Sequence, residues 1–194
     1  MKVNEFDLLL PSDREHQLCF NNDELLIIGA PVYAGRIPRL MQEFLTNKVS
    51  GSLYAVIVAV YGHRAYDNAL AEMKRILSNK GIRIIAAGAF LGEHSYSKDI
   101  ARGRPDELDL EKQLAFGKAI KEKIYKEDFS EVDVPGEIPQ GVASISPYRT
   151  ITNDNCVLCG LCAKYCPVQA IPIDNPSLPA SKACIMCCKC VKNC

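Results

Sequence analysis

The cysteines constrain this chain more than any other feature. Ten occur in 194 residues, and nine of them lie after residue 155. Eight of the nine form the pattern C-x2-C-x2-C-x3-C twice, the second copy following the first at an offset of 28 residues. Crowded cysteines form disulfides in secreted chains but bind metal in a reducing compartment. Residues 1–7 lack the basic-then-apolar design of a signal peptide, so we expect a cytoplasmic protein with a metal-binding region.

The spacing predicts which cysteines share a metal centre. One tight C-x2-C-x2-C loop can supply three thiolates to a four-iron cluster, and in bacterial-type runs the fourth cysteine serves the other cluster. One predicted ligand set is therefore Cys156, Cys159, Cys162 and Cys194, and the other is Cys184, Cys187, Cys190 and Cys166. Because the sets cross, we expect the clusters and the fold to form together.

Residues 151–194 resemble a two-cluster bacterial ferredoxin. The resemblance is carried by the repeat and by Cys166-Pro167 followed by Ala170-Ile171. It implies two [4Fe-4S] clusters and single-electron transfer to or from redox partner proteins. We expect small and apolar side chains to shield the clusters from water: Val157, Leu158, Ala163, Val168, Ile171, Ile173, Ile185 and Val191.

Some of the cysteines allow other interpretations. Pairs of C-x2-C also bind zinc, although two triplets plus two single cysteines are not the usual zinc arrangement. Cys188 falls outside the repeat and is interpreted as a spare thiol, with a ligand role as the alternative. Cys19 is expected to be a small buried hydrophobic residue.

Residues 1–126 predict an α/β fold. Continuous apolar runs at 25–30, 53–60 and 82–90 are typical of strands buried on both faces, and 6–10 is a further candidate strand. Helical periodicity follows Pro38 and recurs over 67–80 and 107–126. Alternating strands and helices indicate a parallel sheet with helices on both faces. Residues 127–150, which contain five Pro or Gly residues, are interpreted as a linker to the domain at 151–194.

The stretch from Gly29 to Gly35, which matches G-x-P-V-Y-x-G, resembles the flavodoxin family. A second loop, 61–69, follows the next strand, where that family presents its other flavin loop. The resemblance implies an FMN site formed by these loops, with tyrosines to stack on the ring and glycines to let the backbone approach it. For each tyrosine, capping a strand end is the alternative, and surface exposure is the alternative for the loop histidines. The candidate residues are Pro31, Val32, Tyr33, Ala34, Gly35, Tyr61, Gly62, His63 and Tyr66.

The sequence departs from the flavodoxin pattern at its start. The first strand and the loop that cradles the flavin phosphate have no counterpart, so we expect the flavodoxin-like domain to be incomplete, the chain to be a fragment or a reduced version, and any FMN to bind weakly. A sheet lacking that strand would be poorly covered, which favours self-association.

Charge and hydropathy exclude other classes. With 23 basic and 23 acidic residues the net charge is zero, which argues against a nucleic-acid partner. No apolar run approaches the length of a membrane-spanning helix. The sequence thus predicts an electron-transfer iron–sulfur protein, with a flavin-dependent reductase, or a subunit of one, as the alternative.

Overall fold

The computed structural model describes residues 3–144 and 146–194, and these form two compact units. One unit is Leu18–Ala143, and the other joins the described residues up to Gln17 with those from Ser144 to Cys194. The boundaries expected from the sequence, after residues 126 and 150, do not coincide with these limits.

The unit Leu18–Ala143 is a parallel α/β structure. Its strands are β1 (Leu18–Phe20), β2 (Leu25–Pro31), β3 (Val49–Gly51), β4 (Tyr54–Tyr61) and β5 (Arg83–Leu91), and its helices are α1 (Arg39–Asn47), α2 (Ala69–Ser78) and α3 (Glu107–Tyr125). The larger sheet has the strand order β2-β4-β5, and β1 pairs with β3 in a second, two-stranded sheet. All of these pairings are parallel. The α/β class and the three long strands predicted from the apolar runs are confirmed.

Helices cover both faces of the three-stranded sheet. On one face, Ile120 of α3 packs with Val56, Ile85 and Ala86. Residues alternate between the faces along a strand, so the fully buried Ala55 and Ile57 of β4 point to the other face, where α2 packs on β4 and β5. The sheet edge is less covered: Ile27 of β2 is 62% exposed.

The segment 127–143, expected to be part of a linker, packs along the sheet unit. The ring of Phe129 stacks on Tyr54 with centroids 4.3 Å apart. Val132 N donates to Ile84 O at 2.9 Å, and Ala143 N donates to the Gln42 side chain at 3.0 Å. These contacts hold the segment without a helix or a strand.

The candidate strand at residues 6–10 is wrong. Those residues form no strand, and a 3-10 helix, Pro11–Arg14, follows them. Phe6 is 52% exposed, so the apolar run is not buried as a core strand would be. The Arg14 guanidinium donates to the carbonyls of Leu8 and Leu9 at 2.7 and 2.5 Å, so these carbonyls are bonded to a side chain and not to a neighbouring strand.

Within the described residues, the structure has no helix that is both long and apolar enough to cross a membrane.

Candidate metal centre

The two cysteine loops have the same backbone conformation. Leu158 and Gly160 in the first loop have φ values of 58° and 75°, and Met186 and Cys188 in the second have 55° and 56°. A short helix follows each loop, α4 (Leu161–Lys164) and α5 (Lys189–Asn193). Each of these features recurs after the 28-residue offset of the cysteines, so the sequence repeat is also a repeat of structure.

A small, mostly apolar cavity lies beside the second loop. Its lining includes Cys184, Cys187 and Cys190 from that loop, and Cys166 from the first repeat. The remaining lining is largely apolar: Pro167, Val168, Ala170, Ile171, Ala180 and Ile185, with Cys188 and Thr150 completing it. The structure thus brings together the four cysteines of one predicted ligand set.

The cavity affects the thiols that line it. Burial raises the pKa of the Cys187 thiol, and the neighbouring Cys166, Cys190 and Cys184 raise it further. A bound metal reverses this preference, because a coordinating thiol is deprotonated. The Ala170 N–H donates to Cys166 Sγ at 3.2 Å, a contact of the kind that tunes iron–sulfur clusters.

The other predicted ligand set is nearer to solvent. Cys159 and Cys194 are exposed, and Cys156 and Cys162 are half-buried. Burial also raises the pKa of Cys162, followed by smaller effects of Cys190 and Cys159. Half of the predicted shielding residues are exposed: Val157 by 82%, and also Leu158, Ile173 and Val191. These four side chains are therefore not packed as a buried shield in the structure.

All ten cysteines are free thiols, and all lie in the described part of the chain. Over residues 3–144 and 146–194, no group of three or more His, Cys, Asp or Glu residues is placed to hold a single metal ion. Cys19, expected to be buried, is exposed on the three-residue strand β1, with Sγ 3.2 Å from Ser50 Oγ.

Two residues beside the cavity were missed by the sequence analysis. Arg14 Nη2 donates to the carbonyl of Pro167 at 2.6 Å, next to Cys166. Thr150 Oγ1 lies 3.6 Å from Cys190 Sγ. No local pattern signals either one. Cys188 was not assigned to the site, although the offset that aligns it with Gly160 could have singled it out.

The candidate flavin loops meet at the carboxyl edge of the sheet. Ala34 and Gly35 form a tight turn with φ values of 50° and 79°, closed by hydrogen bonds between Tyr33 and Arg36. Asn68 N donates to Gly35 O at 2.9 Å, which ties the second loop to this turn. Val32 N likewise donates to the carbonyl of Val60 at 2.9 Å.

The two loop glycines make room for protein atoms. A Cβ on Gly35 would lie 2.6 Å from Asp67 Oδ2, and a Cβ on Gly62 would lie 2.9 Å from the His94 ring. The close approach expected for a flat ring is therefore taken by side chains of the neighbouring loops.

Among the other candidate flavin-site residues, two tyrosines contact each other and three residues are exposed to solvent. Tyr61 and Tyr66 meet edge to face, with centroids 5.5 Å apart. His63 is exposed and has a φ of 95°, and Pro31 and Ala34 are exposed as well.

A buried ion pair anchors the first loop and was also missed. Glu72 is fully buried and accepts from Arg36 Nη2 at 2.5 Å and from Ile37 N at 3.2 Å. Arg36 also donates to the carbonyl of Gly141 at 2.6 Å. The loop is held in place by contacts within the chain.

Comparison with known proteins adds one match. None of the curated proteins and none of the solved structures matches the chain. The family model that matches is described as a 4Fe-4S binding domain and covers residues 149–171, the first cysteine repeat. This part of the chain is therefore a 4Fe-4S binding domain, which supports an iron–sulfur electron-transfer role.

Proposed function

We propose that the chain transfers single electrons through two [4Fe-4S] clusters. One would be held by Cys156, Cys159, Cys162 and Cys194, and the other by Cys166, Cys184, Cys187 and Cys190. The observation that carries the proposal is the cavity whose lining includes the four cysteines of one predicted ligand set, Cys166 from the first repeat and Cys184, Cys187 and Cys190 from the second. The match to a 4Fe-4S binding domain over 149–171 supports it independently.

The residues around the cavity fit a four-iron cluster. Four thiols supply the ligands that such a cluster requires. The apolar lining excludes water, and the Ala170 N–H is directed at a ligand sulfur. When bound, a cluster of this type accepts and releases one electron at a time, and the protein's part is to bind it, shield it and set its potential.

The two ligand sets predict unequal clusters. Cys166 and Cys184 are buried, whereas Cys159 and Cys194 are exposed. Solvent exposure and hydrogen bonds to sulfur are two of the factors that set the potential of an iron–sulfur cluster. We therefore expect two distinct reduction steps, with the exposed cluster as the point of contact for redox partner proteins in a reducing cytoplasm.

The test combines composition with spectroscopy. Anaerobically prepared protein should contain iron and acid-labile sulfide equivalent to about two four-iron clusters per chain. Zinc without acid-labile sulfide would overturn the proposal. Cys19→Ser is the matched control, because Cys19 is exposed and belongs to the other unit.

Crossed ligation makes a sharper prediction. Cys166→Ala should halve the iron content and leave the same electron paramagnetic resonance spectrum as Cys184→Ala. Cys156→Ala should leave the other spectrum. If Cys166→Ala and Cys156→Ala leave the same spectrum, the assignment of Cys166 to the second loop is wrong.

The second candidate is a flavin-linked reductase, or a subunit of one. The observation that favours it is the meeting of the turn at Ala34 and Gly35 with the loop that carries Tyr61 and Tyr66. Flavin absorption in the anaerobic protein, or quenching of added FMN fluorescence, would support it. FMN fluorescence that is unchanged by excess protein would exclude it.

Self-association is proposed at the sheet edge. Ile27, on the edge strand β2, is 62% exposed. Light scattering tests this proposal: a monomer at all accessible concentrations would contradict it.

A further inference from the structure

Five cysteines, and not four, line the cavity beside the second loop. The fifth is Cys188, which is 8% exposed and so as buried as Cys166 at 8% and Cys184 at 9%. A four-iron cluster takes four cysteine ligands. One thiol is therefore left over at the wall of the site, shielded from solvent.

Cys188 has a backbone conformation that is usually adopted by glycine. Its φ of 56° lies in the left-handed region, which is energetically costly for a residue with a Cβ. The equivalent residue of the first repeat is Gly160, which adopts this conformation without that cost. The two loops thus share a conformation and differ in whether a thiol stands at this position.

Cys188 and Cys190 flank the start of the same helix. Cys188 directly precedes α5, and Cys190 is the second residue of α5. Cys190 is half-buried and therefore more accessible than Cys166 and Cys184. Of the four ligands proposed for this cavity, Cys187 and Cys190 are the two that are half-buried, and Cys190 is the one that lies on α5, the helix that Cys188 precedes.

We propose that Cys188 is a reserve ligand that takes the iron site of Cys190 when the Cys190 thiolate leaves. The inference rests on the proposed function, because it needs a cluster in this cavity. In the exchange the bond from iron to Cys190 sulfur breaks and the bond from iron to Cys188 sulfur forms. The thiol proton of Cys188 passes to the departing thiolate, and no electron is transferred.

The exchange would protect one cluster and not the other. An electrophile that captures the departing Cys190 sulfur, or an acid that protonates it, would still leave the second-loop cluster with four ligands, and the thiol proton of Cys188 would then pass to solvent. Removal of Cys162, the counterpart of Cys190, would leave the first-loop cluster with three, because Gly160 carries no thiol.

The experiment compares single and double variants of the full chain, reconstituted anaerobically. The readouts are iron and sulfide per chain and the cluster-specific paramagnetic resonance signal. Cys190→Ala should keep close to the wild-type iron content, whereas Cys162→Ala should keep about half of it. Cys190→Ala combined with Cys188→Gly should also fall to about half. Cys188→Gly alone should keep the full content, because glycine accepts the left-handed backbone.

The first loop offers the converse test. A Cβ on Gly160 would meet only Ile173 Cδ1, at an ordinary contact distance of 3.7 Å, and Cys188 shows that a cysteine can adopt the left-handed backbone of this position. Gly160→Cys in the Cys162→Ala background should restore the iron lost by Cys162→Ala. This gain cannot be explained by a loss of folding.

Two results would overturn the inference. One is Cys190→Ala that loses as much iron as Cys162→Ala, and the other is Cys190→Ala whose iron is unaffected by adding Cys188→Gly. A wild-type chain that lacks a second cluster refutes the proposed function instead, and the iron content of the wild type separates that outcome from the other two.

Discussion

Replacing Glu72 with glutamine tests how the structure stabilises the carboxyl edge of the sheet. Glu72 is fully buried, and its two oxygens accept from Arg36, from the backbone N–H of Ile37 and from the Gln42 amide. Glutamine keeps the shape of the side chain but removes its charge and replaces one acceptor oxygen with an NH2 group. The groups that donate to the replaced oxygen of Glu72 therefore lose their acceptor.

The magnitude follows from burial. Breaking a buried ion pair by removing one partner costs about 3–5 kcal/mol, because the remaining charge is left uncompensated. Arg36 is 18% exposed and keeps bonds to the carbonyls of Gln140 and Gly141. We therefore expect the lower end, about 3 kcal/mol off the free energy of unfolding, for Glu72→Gln.

Urea unfolding of the full chain, followed by far-ultraviolet circular dichroism, measures this. With a slope of about 2 kcal/mol per molar urea, the midpoint should fall by roughly 1.5 M. Glu43→Gln is the matched control: its pair with Arg39 has a distance of 2.7 Å, but both side chains are about half exposed. Such a pair contributes about 0.5 kcal/mol or less. Equal midpoints for the two variants would refute the reasoning.

Two further predictions use the same assay. Gly35→Ala should destabilise more than Gly81→Ala, because both residues have a φ of 79° but only the Gly35 Cβ would clash with Asp67; equal losses would show that the clash is relieved at no cost. The Arg104 side chain holds the pKa of Asp109 at about 2, below its usual 3.8, so the stability it contributes is present above about pH 4 and is lost as the pH falls towards 2. Asp109→Asn should therefore lose less stability than the wild type as the pH falls towards 2. Parallel curves of stability against pH for the variant and the wild type would contradict the prediction.

The long elements of the fold were predictable because burial leaves a local pattern. The run at 53–60 corresponds to β4, whose Ala55 and Ile57 are fully buried. The strands β1 and β3 have three residues each, too few for any periodicity to appear. Phe6 is in an apolar run as well, but whether such a run finds a partner strand is decided by tertiary contacts.

The packing of 127–143 could not be predicted for a different reason. It depends on single contacts with distant residues, such as Phe129 on Tyr54 and Lys74 Nζ on the carbonyl of Val132 at 2.7 Å. Proline and glycine are as common in segments that pack irregularly as in free linkers, so composition alone does not separate the two.

In the candidate metal centre, too, some features could be predicted from the sequence and others could not. Ligand spacing is a property of the local chain, and the cavity holds the four cysteines that the crossed pattern groups together. Which of the apolar residues shield the site depends on how the loops pack: Ala170 and Ala180 are buried, but Val157 is 82% exposed. The paramagnetic resonance spectra of Cys166→Ala and Cys156→Ala test the assignment of the ligands.

The unit that contains the cysteine repeats is discontinuous in the chain, and this affects its assembly. In its N-terminal part, the Arg14 side chain donates a hydrogen bond to the carbonyl of Pro167, 153 positions later in the chain. During synthesis this contact cannot form until the whole of Leu18–Ala143 has emerged, and domains generally fold in the order in which they are made. This contact would then form after the unit Leu18–Ala143 has folded, and an excised C-terminal peptide would lack the hydrogen bond from Arg14 to the carbonyl of Pro167.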